Sequence, residues 1–138
     1  MALVLDTGVV VAALTRDDKH HERCRALLDG SDELLVIPAP TLSEIDYWVS
    51  MDRGPQVMLS LLRDVESGAY LVEDLKFEDY GRVRTLLEVY ADLDLGFVDA
   101  AVLAIVERLR EPKLATLDHR HFAVVRPRHV DALELLPS

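Results

Sequence analysis

Short apolar runs alternate with longer amphipathic stretches along the chain. Ala2–Leu5 is an apolar run that ends at Asp6, and it reads as a buried strand. Thr7–Leu14 is ambiguous: Val9-Val10-Val11 could extend that strand, whereas Gly8 after Asp6-Thr7 favours a turn and then a helix. Asp18–Leu28 predicts a helix with Ala26, Leu27 and Leu28 opposite a polar face, closed by Gly30. Glu33–Ile37 predicts a second strand, ended by Pro38. Pro40 and Thr41 open a helix whose stripe, Leu42, Ile45 and Val49, is spaced by three and four residues. Gly54-Pro55 breaks it, and Val57–Val65 predicts a further helix, with Met58, Leu61, Leu62 and Val65 on one face. Tyr70–Val72 reads as a short strand, and Phe77–Tyr90 as a helix with Tyr80, Val83, Leu87 and Tyr90 in period. Val98–Leu109 is apolar almost throughout, which predicts a buried helix. Lys113–Leu117 reads as a strand ending at Asp118, and Phe122–Val125 as another.

Strands alternating with helices predict an α/β fold, with a mainly parallel sheet covered by helices on both faces. The chain shows no repeat, linker or low-complexity stretch, and its 138 residues predict one domain over 1–138. A domain of that size buries roughly two thirds of its unfolded surface without help from disulfides. No apolar run approaches the roughly 18 residues that span a bilayer. Met1–Leu5 leads straight into Asp6, so no secretory leader is expected. A lone cysteine, Cys24, cannot form an internal disulfide, which fits a reducing cytoplasm.

Charge narrows the function classes. The net charge is −10, from 15 Lys and Arg against 25 Asp and Glu. That argues against a general nucleic-acid coat protein, whose affinity comes from neutralising phosphates. It leaves room for an enzyme that meets nucleic acid at one small site. Arg108 to His129 carries a local +4, either a polyanion contact or a solvated face.

Four carboxylates stand where ligands meet open α/β sheets, at the carboxyl ends of strands and the starts of helices. Asp6 follows Leu3-Val4-Leu5, and its plainer reading is a turn residue bonding its own backbone. Glu44 lies in Thr41-Leu42-Ser43-Glu44, which matches a capping box with Thr41 as N-cap; alternatively Glu44 projects toward Asp6. Asp99 opens the buried helix, where the macrodipole would favour it in any case. Asp118 ends a strand and precedes His119, as a turn residue would. Asp46, Asp92 and Asp94 read as solvated. If the four converge, unit charges about 5 Å apart repel by roughly 3 kcal/mol at an effective dielectric of about 20. Several such pairs force protonation or demand a cation. Oxygen donors select Mg²⁺ or Mn²⁺ over Zn²⁺, and metal ions on carboxylates suit phosphoryl chemistry.

Other motifs are weaker. His20 and Cys24 are four apart on a helix, but two soft-metal ligands without partners point to a polar face with a small buried Cys. His119 and His121 flank Arg120 beside Asp118, within reach of phosphate. Tyr47 and Trp48 read as core or interface.

These segments together resemble the PIN-domain ribonucleases, specifically the VapC toxins of bacterial toxin–antitoxin pairs. The resemblance is carried by Val4-Leu5-Asp6-Thr7-Gly8, Asp17-Asp18-Lys19-His20-His21 and Pro38-Ala39-Pro40-Thr41-Leu42-Ser43-Glu44. It continues through Asp94-Leu95-Gly96-Phe97-Val98-Asp99-Ala100, Ala115-Thr116-Leu117-Asp118-His119-Arg120-His121-Phe122 and Leu135-Leu136-Pro137. It implies a three-layer α/β/α sandwich and Mg²⁺- or Mn²⁺-dependent RNA endonuclease activity. It also implies that Asp6, Glu44, Asp99 and Asp118 are the catalytic, metal-holding acids, supported by Thr7 and Thr116. His119 and Arg120 become candidate RNA contacts. A homodimer and a cognate VapB-type antitoxin are implied as partners. One position departs from the family: members often carry an acid where this chain has His121, which bears on a second metal.

Two rivals are distinct. Asp6-Thr7-Gly8 matches the active triplet of aspartic proteases, but those are β-rich and this pattern is helical. A non-catalytic PIN-like interaction module would use the acids only as caps and turns.

Overall fold

The computed structural model describes residues 1–51 and 53–138. Five strands, β1 (Ala2–Leu5), β2 (Leu34–Pro38), β3 (Leu71–Glu73), β4 (Lys113–Ala115) and β5 (Glu134–Leu136), form one sheet in the order β3-β2-β1-β4-β5. Every pairing is parallel, with Val4 opposite Val36 on one side and Leu114 on the other. Seven helices join the strands among the described residues: α1 (Thr7–Leu14), α2 (His21–Asp29), α3 (Leu42–Ser50), α4 (Gln56–Glu66), α5 (Asp79–Val89), α6 (Phe97–Leu109) and α7 (His119–Val124).

The period-2 alternation of β1 sorts the core into two layers. Leu3 and Leu5 join Ile37 and Ala115 on one face, packed against α1, α2, α3 and α4. Val4 joins Val36 and Leu114 on the other, packed against α5 and α6 and against Phe122 and Val125. This is the expected α/β/α sandwich. The predicted buried helix is α6: Ala100 through Val106 are all within 2% of full burial.

Thr7–Leu14 resolves to the helix that Gly8 favoured, because Asp6 takes an extended conformation and its carboxylate accepts from the Thr7 N–H. Two elements differ from the sequence reading. Phe122–Val125 is not a strand. Asp118 caps α7 by accepting from the His121 N–H, and the chain turns helical through Val124. The second outer strand on that side is β5 instead, a three-residue segment whose Leu135 pairs with Leu114.

Half of the cations in the stripe from Arg108 to His129 are committed within the fold. Arg108 bonds Glu73 and Asp79, Lys113 bonds Glu33, and the Arg126 guanidinium donates to the Ala123 and Val125 carbonyls. Arg110, Arg120 and Arg128 are exposed. Among the described residues no helix is long and apolar enough to cross a membrane.

Gly8 sits in the first turn of α1, and a Cβ there would meet Leu117 at an ordinary 3.7 Å. Gly8→Ala should therefore stabilise the protein by about 0.5–1 kcal/mol, the helical advantage of Ala over Gly. Chemical denaturation measures it; a loss of stability would show that the backbone at Asp6-Thr7-Gly8 is not the helix start described.

Candidate active site

The carboxyl edge of the sheet collects the predicted acids. The Asp6 N–H donates to the Ala115 carbonyl at 2.8 Å, which locks the end of β1 to the end of β4. Asp6 is 7% exposed, and each of its carboxylate oxygens accepts one hydrogen bond. One oxygen accepts from the Thr7 N–H at 2.9 Å; the other accepts from the Thr116 hydroxyl at 2.8 Å. The Thr116 hydroxyl in turn accepts from the Asp118 N–H at 2.9 Å. On the other side, the Thr7 hydroxyl donates to Glu44 at 2.7 Å. A chain of hydrogen bonds thus runs from Glu44 through Thr7, Asp6 and Thr116 to Asp118.

Glu44 settles its two readings here. The Thr41 side chain makes no N-terminal cap and instead donates to the Pro38 carbonyl, so the capping box is absent. Glu44, in the first turn of α3, reaches sideways to Thr7. Asp99, in the first turn of α6, is held weakly by the Gly96 N–H at 3.4 Å. Asp118 engages His121 twice, accepting from its backbone N–H at 3.1 Å and meeting its ring Nδ1 at 2.7 Å. Asp99, Asp118 and His121 each present a ligand atom, all within 4.8 Å of one another.

The electrostatics follow from burial and crowding. Burial pushes the Asp6 carboxyl up to about 6, against the pull of its hydrogen bonds from Thr116 and Thr7; the charges of Asp99 and Glu44 add to the rise. Asp99 is also raised, mainly by burial and further by Asp118 and Glu44, with Gly96 and His121 opposing. Ionised acids so placed destabilise one another unless a cation is shared among them.

The remaining candidates separate cleanly. His119 and Arg120 lie in the first turn of α7 beside Asp118, with Arg120 exposed. Asp46 is exposed and bonds Ser50. Cys24 is fully buried in the core, as the small-residue reading expects. Tyr47 and Trp48 are not core: they are 61% and 56% exposed, in an edge-to-face pair 5.2 Å apart. His121 is the residue that the four-acid set omitted. The sequence set it beside Asp118 and marked it as a departure from the family; the helical turn of α7 brings position i+3 back over Asp118.

A family profile for the PIN domain matches residues 3–126. The chain belongs to the PIN-domain family. Ribonuclease VapC26 of Mycobacterium tuberculosis is 27% identical over 125 residues, spanning 91% of this chain and 93% of that protein. Among solved structures, M. tuberculosis VapC20, a sarcin–ricin loop cleaving toxin, superposes with a TM-score of 0.75 at 16% identity, covering 81% of this chain and 86% of that one. VapBC2 of Rickettsia felis, solved on a fragment of its promoter DNA, gives 0.68 at 22% identity, covering 98% and 97%. FitAcB of Neisseria gonorrhoeae gives 0.60 at 22% identity, covering 87% and 90%. The PIN fold removes the aspartic-protease reading: Asp6-Thr7-Gly8 begins a helix under a parallel sheet, not a β-rich catalytic lobe.

Proposed function

We propose that this PIN-domain protein, one domain over 1–138, is a metal-dependent RNA endonuclease and the toxin of a type II toxin–antitoxin pair. The observation that carries the reading is the hydrogen-bonded chain that holds buried Asp6 between Glu44 and Asp118, beside the Asp99–Asp118–His121 cluster. Likeness to VapC26 and VapC20 supports RNA as the substrate class.

The donor set fits a hard divalent cation, Mg²⁺ or Mn²⁺, because carboxylate oxygens dominate it and the neighbouring acids add to the rise that burial imposes on Asp6 and Asp99. Asp6, Glu44, Asp99 and Asp118 would hold it. When bound, such a cation supplies activation of water and neutralises charge developing on a phosphodiester. The chain's own residues set the stage. Thr7 and Thr116 fix the rotamers of Glu44 and Asp6, and Asp118 is steadied by the first turn of α7. His119 and Arg120, on that same turn, are placed to meet RNA phosphates. Little generic affinity is needed, which reconciles the −10 charge with a nucleic-acid substrate.

A VapB-type antitoxin and a second copy of the chain are the proposed protein partners, in the cytoplasm. Large apolar side chains stay exposed for such contacts, among them Tyr47, Trp48, Met51, Leu59 and Leu62 on or beside α3 and α4. Tyr80 and Phe97 border a cleft of about 400 Å³ on the opposite layer.

The test is cleavage of a mixed pool of structured RNAs by purified protein, with Mg²⁺ or Mn²⁺ and with chelator, beside Asp6→Ala. Discrete cuts that require both metal and Asp6 are expected. Absence of cutting, together with a melting temperature unmoved by either metal, would overturn the reading and leave an interaction module, since a ligand that binds only the native state must raise its stability.

A further inference from the structure

We infer that His121 gives the metal site a nitrogen ligand, so that it favours a transition-series divalent cation such as Mn²⁺ over Mg²⁺. The inference rests on the acidic site being a metal site, and goes beyond that reading by adding a residue and a preference.

The ring of His121 is not a remote neighbour. One of its nitrogens lies with a carboxylate oxygen of Asp99 and one of Asp118 in a group spanning no more than 4.8 Å. Its side chain is 26% exposed, so the ring is partly withdrawn from water and its position is restricted. The helical turn fixes it further: the His121 N–H caps onto Asp118 Oδ1 while Nδ1 meets Asp118 Oδ2. That contact is close to the spacing of two ligands on one cation. With the ring proton on Nε2, the Nδ1 lone pair faces the same point as Asp118 Oδ2, and a cation there would take the place of the proton between them.

The consequence is chemical. An all-oxygen set serves Mg²⁺ well, because Mg²⁺ is hard and dehydrates reluctantly. An imidazole nitrogen adds little for Mg²⁺ and more for the softer transition-series ions.

Mn²⁺ reports its own ligands, which makes the test direct. Pulsed electron paramagnetic resonance of Mn²⁺ bound to the wild-type protein should show coupling to a coordinated nitrogen. Labelling histidine with ¹⁵N should change the pattern, and His121→Asp should abolish it. In competition titrations, His121→Asp should narrow the preference for Mn²⁺ over Mg²⁺ by about tenfold or more. Mn²⁺ bound in an Asp99-dependent way without nitrogen coupling would overturn the inference and leave the acidic site standing. Coupling that survives in His121→Asp would also overturn it, assigning the nitrogen elsewhere. No Mn²⁺ binding by the wild type, or equal binding by Asp99→Asn, would overturn the metal site itself.

Discussion

Asp99→Asn should abolish metal-dependent RNA cleavage, by about a hundredfold or more, while the protein stays folded. The size of the effect follows from where Asp99 stands. It is half-buried at the start of α6, within 4.8 Å of donor atoms on Asp118 and His121, and its carboxyl is raised by burial and by the charges of Asp118 and Glu44. Asn keeps the shape but removes the charge and one anionic donor. The fold has little to lose. Among the described residues the Asp99 side chain accepts one hydrogen bond, the long contact from the Gly96 N–H, which the Asn amide oxygen can also accept, and α6 is anchored by the seven buried residues Ala100 through Val106. Without metal the variant should melt at or above the wild-type temperature, because one repelling charge is gone. Circular dichroism and a cleavage time course on the same preparation check both halves. A folded Asp99→Asn protein with wild-type cleavage would remove Asp99 from the site.

Much of this was legible in the sequence, for a reason that differs from element to element. Helix α6 declared itself because a thirteen-residue stretch that is nearly all apolar has no place except a core. Asp6 and Asp118 were placed by strand ends alone. Glu44 was not decidable: the same four residues spell a capping box or a side chain aimed at Thr7, and only the Thr41 hydroxyl turning to Pro38 separates them. Helix α7 and strand β5 were misread or unread because each is short. In α7 a β-branched pair at its end outweighs six residues of helix, and in β5 three residues are too few to show a period. The turn of α7 matters to the site, since it brings His121 back over Asp118. Tyr47 and Trp48 illustrate a second limit: an aromatic on an amphipathic helix looks the same in sequence whether it faces a core or a partner.

Asp6→Asn should remove the pH dependence that Asp6 imposes on the metal-free protein. The carboxyl is pushed from 3.8 up to about 6 by burial, so the folded state holds its proton more tightly than the unfolded chain does. A group raised on folding contributes stability at low pH and loses it as pH climbs. The loss begins near the unfolded value and is complete above about 6. A rise of about two units corresponds to roughly 3 kcal/mol. In chelator, the stability of Asp6→Asn relative to wild type should therefore increase by up to about 3 kcal/mol between pH 4 and pH 7.5. At pH 4 the comparison isolates the cost of exchanging hydrogen-bond partners at Thr7 and Thr116, since neither side chain is then charged. Added Mn²⁺ at pH 7.5 should raise the wild type more than the variant, which keeps Glu44, Asp99 and Asp118 but has lost one anionic donor. Urea denaturation across this pH range decides it. A difference that stays flat with pH would mean that Asp6 is not the destabilised buried acid described, and would take with it the electrostatic case for a cation at the edge of the sheet.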